Sequence, residues 1–235
     1  MTTPEAVRAR MEAIRAARGF VLPHHGVMAA ALPDLHDAYE AMYRALTLTP
    51  RHLTAHEREA VWLAILTACE EPVGTHHVAR FRAAGGTEDE ATVLFRLAAW
   101  AAGAPRYATI GGAWQPREVA ARAYLDGAEA LTRDGPVPGA LVRLCLVAVQ
   151  TAADQPFGLA AEIEAAYACS VPETHIAEAM SLTIWPRGVN RFVRGCAVWL
   201  DLIRAGRVTP SPAFRAWAEA DGQGAYVLES AAPCP

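Results

Sequence analysis

The chain has 235 residues, 53% of them hydrophobic, and a formal net charge of -4. It can therefore bury a large core, in one large domain or two small ones. The acidic balance and the lack of a basic run argue against a nucleic acid or an anionic membrane as partner, because both require clustered positive charge. All 21 basic residues are arginine, which excludes Schiff-base chemistry, covalent attachment of pyridoxal phosphate and a P-loop lysine.

The sequence contains no apolar run of about 18 residues, the length that spans a membrane. Residues 1–20 are charged and lack the apolar centre of a signal peptide, so we expect a cytoplasmic protein. The five cysteines form no CxxC pair and no zinc-binding spacing, and an odd number does not suggest a disulfide framework. We expect neither a metal nor an organic cofactor.

The segment before residue 50 predicts a helical arm over residues 1–20 and a second helix after it. Residues 1–20 form an amphipathic helix, and an apolar segment with a Pro-His-His-Gly turn follows. His24 and His25 beside this turn are candidates for a weak metal site or for contact with an active site. Pro33 opens a further helix, in which apolar residues at helical spacing predict a core-facing stripe: Leu35, Ala38, Met42 and Leu46.

The stretch over residues 53–102 predicts three consecutive helices. The first runs over residues 57–68 and is followed by a Pro/Gly break. Thr75 can then cap a second helix, which stops at a pair of glycines. Thr87 opens the third helix, with Glu90 at the spacing of a capping box.

An acid, a thiol and an imidazole lie on the first two of these helices. Glu59 is a candidate general acid or base, with Glu57 as its rival nearer the helix start. His76 and His77 project about 100° apart on a helix, so we expect one of them to face inward. Cys69 is either a reactive thiol or a packing residue.

The pattern of the first half returns in the second. A Pro/Gly-rich linker at residues 133–139 separates the halves, and a constant offset of 85 aligns Trp100 with Trp185, Gly103 with Gly188 and Trp114 with Trp199. We therefore predict an all-α protein of two tandem helical units. Residues 1–132 hold the arm and the first unit, and residues 133–235 hold a degenerate second unit and a tail.

At this offset the second unit has lost the candidate chemistry of the first. Glu59 aligns with Leu144, and Cys69 aligns with Asp154. His76 and His77 align with Ala161 and Glu162. We therefore expect the site in the first unit, with the region around Asp154 and Glu162 filled or exposed.

Three features of residues 53–106 resemble the carboxymuconolactone decarboxylase and AhpD-like alkylhydroperoxidase superfamily. One is the Leu-x5-Glu start, from Leu53 to Glu59, before an apolar helix that runs into a cysteine. Another is a histidine followed by HVARFRAAGGTEDEA. The third is AWAAGAPR at residues 99–106. The resemblance covers residues 50–125 well and the second unit more weakly.

The resemblance implies two alternative chemistries. The peroxidase branch uses a Cys-x2-Cys-x3-His motif, but here Pro72 stands three residues after Cys69, so the resolving thiol is missing. The decarboxylase branch uses acid and base residues without cysteine, which fits better. We therefore expect acid–base chemistry on a carboxylated or enolisable small molecule. A non-catalytic helical binding or scaffold protein is the third possibility.

The remaining candidates concern the substrate and the assembly. Arg106 could pair with a substrate carboxylate, and Trp62 and Trp100 could line the pocket or belong to the core. Members of the resembled family form rings of such units, and the chain is unusually apolar. We therefore expect a homo-oligomer, a trimer or a dimer.

Overall fold

The computed structural model describes residues 2–223, and in that range it contains helices and turns and no β-strand. The all-α prediction is therefore confirmed. None of the helices in this range is long and apolar enough to cross a membrane. The chain divides into two units, Met1–Thr49 and Pro50–Pro235.

The first unit contains three α-helices and a short π-helical segment. They are α1 (Pro4–Arg18), α2 (Pro23–Ala31) and α3 (Pro33–Tyr43), followed by Arg44–Leu48. Gly19 ends α1 in the left-handed conformation, which glycine adopts without steric cost.

The predicted core stripe of α3 is wrong. Leu35 and Met42 are 51% and 44% exposed, whereas His36 and Tyr43 are buried. The buried face of α3 is aromatic and polar: His36 stacks near His25, with ring centroids 5.9 Å apart. A stripe read from aliphatic residues alone points to the wrong side of the helix, because aromatic contacts decide which face is covered.

Residues 50–223 of the second unit contain eleven α-helices and a 3-10 turn. The first-half elements are α4 (Ala55–Ala68), the 3-10 turn Pro72–Thr75, α5 (His76–Ala83), α6 (Glu88–Ala101), α7 (Ala104–Ala113) and α8 (Arg117–Thr132). The second-half elements are α9 (Gly139–Ala153), α10 (Pro156–Ala168), α11 (Glu173–Ser181), α12 (Ile184–Arg187), α13 (Val189–Arg204) and α14 (Pro212–Glu219).

Local sequence signals set the starts of α4 and α6. Thr54 and Glu57 form a capping box at the start of α4, and Thr87 and Glu90 form the predicted one at the start of α6. The cap predicted at Thr75 is wrong: its hydroxyl donates to the carbonyl of Pro72 at 2.6 Å. The 3-10 turn before α5 uses that hydroxyl, so the helix begins without a side-chain cap.

Helices α4 and α9 form the centre of the second unit. They pack against each other, α4 also packs on α5 and α6, and α9 also packs on α10 and α11. Residues Leu141 to Ala152 of α9 are buried all round the helix, which is the pattern of a helix at the centre of a bundle. The segments before and after residue 132 therefore share one core.

Several local features recur between the two halves. Glu70 after α4 and Asp154 after α9 both have φ near +60°, and each is followed two residues later by a proline, Pro72 and Pro156. The spacing between these positions is one less than the predicted offset. Superposition of two tandem units, and a unit boundary at 132/133, stay predictions.

Shortening one buried side chain of α9 should test the central position of this helix. Leu146 is fully buried, so Leu146→Ala should lower the free energy of unfolding by about 3 kcal/mol through lost burial and a residual cavity. Val119→Ala on α8, at a position 50% exposed, is the matched control and should change it by less than about 1 kcal/mol. Urea unfolding followed by circular dichroism measures both, and similar losses would contradict a core centred on α9.

Candidate active site

Glu59 and His77 form a buried hydrogen-bonded pair between α4 and α5. Each is only 3% exposed, and His77 Nδ1 lies 2.6 Å from Glu59 Oε2. We assign the proton to Nδ1, so that the ring N–H donates and the carboxylate oxygen accepts. This bond fixes the orientation of the imidazole and leaves its other nitrogen for proton transfer. The structure thus joins the two sequence candidates.

Two buried N–H groups without a hydrogen-bond partner lie beside this pair. The Trp62 indole stacks on the His77 ring, with centroids 4.5 Å apart. Its buried Nε1 has no hydrogen-bond partner among residues 2–223. Arg58 Nε lies 3.8 Å from Glu59 Oε1 and is likewise without a hydrogen-bond partner in the described part of the chain. A buried donor without a partner is costly, so such groups are typical of sites that receive a ligand.

Glu57 and His76, the alternative candidates for the acid and the imidazole, make other contacts. Glu57 Oε2 accepts hydrogen bonds from the backbone N–H and the hydroxyl of Thr54, at 2.8 Å each, so its carboxylate serves the helix cap. His76 is half-buried beside His77, with ring centroids 4.3 Å apart. The structure therefore places His77, rather than His76, on the acid.

Cys69 lies just after the last residue of α4, whereas Glu59 lies in the first half of that helix. Their separation is about 15 Å along the helix axis. The thiol is half-buried, and burial raises its pKa against the opposing influence of Arg187 and Arg191. A raised pKa keeps the sulfur in the less nucleophilic thiol form.

Arg106 and Trp100 lie on other elements. Arg106 is exposed on α7, and its Nη1 reaches the carbonyl of Ala102 at 3.5 Å. Helix α7 packs on α8 and α10. Trp100 donates its indole N–H to the carbonyl of Tyr124 at 3.3 Å and packs beside Tyr107 and Tyr124. These contacts give Trp100 a packing role.

The first unit holds its own histidine cluster. His24 Nε2 lies 2.7 Å from the Tyr39 hydroxyl, and His25 Nδ1 accepts from the backbone N–H of Leu22 at 3.1 Å. Burial and the neighbouring cations lower the pKa of His25 to about 4. Among residues 2–223 no group of three or more metal-ligating side chains is arranged to hold an ion.

The sequence analysis missed a buried polar cluster in the second half. Arg143 on α9 donates to Glu162 on α10 at 3.0 Å and to the half-exposed Glu129 at 3.1 Å. Gln150 donates to the Tyr124 hydroxyl at 2.9 Å. Glu162 aligns with His77 at the predicted offset, and Arg143 directly precedes the position that aligns with Glu59. This pair therefore occupies the counterpart of the first one.

The charges of this cluster are unequal, since one guanidinium faces two carboxylates. Burial raises the pKa of Glu162 to about 7, although Arg143 opposes the shift. For Arg143 the attraction of Glu162 and Glu129 outweighs burial, so the pKa of the guanidinium is raised. The buried Glu162 therefore takes up a proton near neutral pH.

Comparison with known proteins identifies the segment that carries the first pair. Residues 33–114 match the carboxymuconolactone decarboxylase family. No curated protein and no solved structure gives a significant match.

The family match confirms the predicted resemblance. It contains Glu59, Trp62 and His77, so the buried acid–imidazole pair lies inside the segment that carries the likeness. The matched segment is about a third of the chain, and the second half lies outside it. The likeness suggests enzyme activity and names no catalytic residue of this chain.

The pKa of Glu162 predicts a pH-dependent stability. A carboxyl group whose pKa rises from about 4.5 unfolded to about 7 folded stabilises the fold below pH 4.5, and that contribution is lost as the pH rises to 7. Relative to the wild type, Glu162→Gln should therefore lose this dependence, by roughly 1–3 kcal/mol between pH 5 and pH 8. Urea unfolding at both pH values measures it.

Glu164→Gln is the matched control, since Glu164 lies on the same helix and pairs at the surface with Arg207. It should leave the difference between the two pH values unchanged. An unchanged difference in Glu162→Gln would show that Glu162 is ionised throughout this range.

Proposed function

We propose that the protein is a cofactor-independent enzyme that moves a proton on a carboxylated or enolisable organic substrate, by decarboxylation or isomerisation next to a carbonyl. The observation that carries this proposal is the buried Glu59–His77 hydrogen bond of 2.6 Å, with the unpaired Trp62 indole N–H stacked beside it. Carboxymuconolactone and related lactone or keto carboxylates are the first substrates to test, following the family likeness.

The pair supplies the general acid and base of the proposal. Glu59 holds the His77 ring by Nδ1 and stabilises the imidazolium that forms when Nε2 takes a proton. In an isomerisation, His77 removes the proton next to the carbonyl and returns it at another carbon. In a decarboxylation, the C–C bond to the carboxylate breaks and carbon dioxide leaves. The electron pair passes to the carbonyl oxygen as an enolate, and His77, which has taken a proton from solvent on Nε2, then protonates the carbon.

The two N–H groups without a hydrogen-bond partner supply the electrostatic stabilisation of the transition state. Negative charge develops on the substrate oxygen during either reaction, and a preorganised N–H stabilises it more in the transition state than in the ground state. Trp62 Nε1 and Arg58 Nε are the groups available for this. Arg58 takes the anion-binding role that the sequence first suggested for Arg106, because Arg58 adjoins Glu59.

The peroxidase alternative depends on Cys69, and two observations weigh against it. The thiol lies about 15 Å along α4 from Glu59, and its pKa is raised, whereas a peroxide-reducing cysteine needs a lowered one. The described cysteines are all unpaired thiols.

A non-catalytic binding role would instead leave all substrates unchanged.

Substitutions of Glu59 and His77 should strongly reduce turnover. Glu59→Gln keeps the size but loses the charge that stabilises imidazolium, and His77→Ala removes the proton carrier. Each should lower kcat/KM by about 100-fold to 10,000-fold. His76→Ala and Cys69→Ser are the matched controls and should stay within about threefold of the wild type. Carbon dioxide release and deuterium incorporation from D2O, followed by NMR, measure both reactions.

The controls separate the alternatives. Loss of activity in Cys69→Ser, with retention in Glu59→Gln, would replace the acid–base proposal by thiol chemistry. Equal activity in all four variants would contradict both.

A further inference from the structure

A groove on the outside of the first half lies between α4, the 3-10 turn, α5 and α6. It encloses about 400 Å³. Its floor and walls are largely apolar, and its rim is acidic. The lining residues are Leu63, Leu66, Thr67, Glu70, Glu71, Pro72, Gly74, Thr75, Val78 and Phe95. Phe95 is 41% exposed within it, so an apolar surface is open.

The second half has a counterpart groove that is covered. A smaller space of about 230 Å³ lies between α9 and α10. Six residues that line this space correspond to six residues of the first groove at a constant spacing of 84, one less than the predicted offset. The first of these pairs is Leu66 and Gln150, and the last is Thr75 and Leu159. The other residues that line this space are Arg194, Gly195, Ala197 and Val198, and they come from α13.

Charge and close packing hold α13 over the second groove. Arg191 and Arg194 both pair with Asp154 at the rim, the latter at 2.8 Å. Gly195 faces α9 so closely that an added Cβ would lie 3.0 Å from Thr151 Cγ2. The groove-facing residues of α13 show what kind of surface such a groove accepts: the small or apolar Gly195, Ala197 and Val198, with arginines beside them.

The helix at the matching position of the first half does not cover its own groove. Helix α7 aligns with α13 at the predicted offset, but it packs on α8 and α10. Its exposed residues are Arg106, Thr109, Gly112 and Ala113, which align in turn with Arg191, Arg194, Ala197 and Val198. The face that corresponds to the groove-binding face of α13 is therefore left in solvent.

The ion pair at the second groove also has both of its counterparts in the first half. Glu70 corresponds to Asp154 and shares its positive φ. Arg106 corresponds to Arg191 at the predicted offset of 85, one more than the spacing between Glu70 and Asp154. Within residues 2–223 neither Glu70 nor Arg106 forms an ion pair with another residue. Within residues 50–223 the chain thus carries an acidic-rimmed groove and an exposed helix face with an arginine, and no helix of that range covers either of them.

We propose that the groove binds helix α7 of a second copy of this chain, with Arg106 of one copy paired to Glu70 of the other. The contact joins two different surfaces, so it closes either as a reciprocal dimer or as a ring. Burial of Phe95 and its apolar neighbours supplies the driving force. The ion pair sets the orientation, as it does for α13.

Charge reversal tests the proposal on the full chain. The wild type should sediment as a dimer or closed ring at micromolar concentration, above the 25.1 kDa of one chain. Glu70→Arg and Arg106→Glu should each raise the dissociation constant about tenfold or more. The double variant Glu70→Arg/Arg106→Glu should recover most of the loss. Arg133→Glu, at an exposed position after α8, should have no effect.

A steric variant tests the same contact independently of charge pairing. A Cβ added at Gly112 would meet no atom within 4 Å, and the same holds at Gly139. Gly112→Phe should therefore fold normally and block association, whereas Gly139→Phe should not. A monomeric wild type would overturn the proposal. An oligomer that all these variants leave intact would also overturn it, because its interface would then lie elsewhere and the groove would be open to another ligand, such as a small molecule.

Discussion

The buried bond between Glu59 and His77 is the constraint on which the first half depends. Two ionisable side chains in an apolar core must be paired, because an isolated buried charge costs several kcal/mol. Their bond also fixes how α5 lies on α4, and hence where the Trp62 ring and its unpaired N–H stand. The same polar contact therefore supports packing and orients the imidazole for proton transfer.

The second half meets the same requirement with different chemistry. Arg143 and Glu162 join α9 to α10 where Glu59 and His77 join α4 to α5. A guanidinium cannot lose its proton in a protein, and here its charge is shared between two carboxylates. In the second pair, therefore, only Glu162 can exchange a proton near neutral pH. We place the chemistry in the first half because Glu59 and His77 lie within the segment that carries the family likeness, whereas Arg143 and Glu162 lie outside it.

Much of the fold could be predicted from local sequence signals. Capping boxes at Thr54 and Thr87 set the starts of α4 and α6, and Gly19 sets the end of α1. The acid–imidazole site could be predicted from residue types on consecutive helices, down to Glu59 and one of two histidines. The choice of His77 could not be predicted, because the 3-10 turn before α5 sets the rotation of that helix, and one residue changes the direction by about 100°.

The missed features have physical causes of the same kind. A constant offset of 85 aligned Glu59 with Leu144, one residue away from Arg143, so the replacement pair escaped notice. The exposed stripe of α3 misled because His36 and Tyr43, rather than its aliphatic residues, cover the buried face. The position of Arg106 cannot be predicted from the sequence, because spacing does not tell which helices α7 packs against.

The most direct test of the central claim is the proton on His77 Nδ1, observed by NMR of protein labelled with 15N-histidine. A hydrogen bond of 2.6 Å to a buried carboxylate should give a ring N–H signal that is shifted far downfield and protected from exchange with water. The signal should vanish in His77→Ala and move strongly upfield in Glu59→Gln, while His76→Ala retains it. A downfield signal that survives Glu59→Gln unshifted, or that is lost only in His76→Ala, would contradict the assignment of Glu59 and His77 as the functional pair.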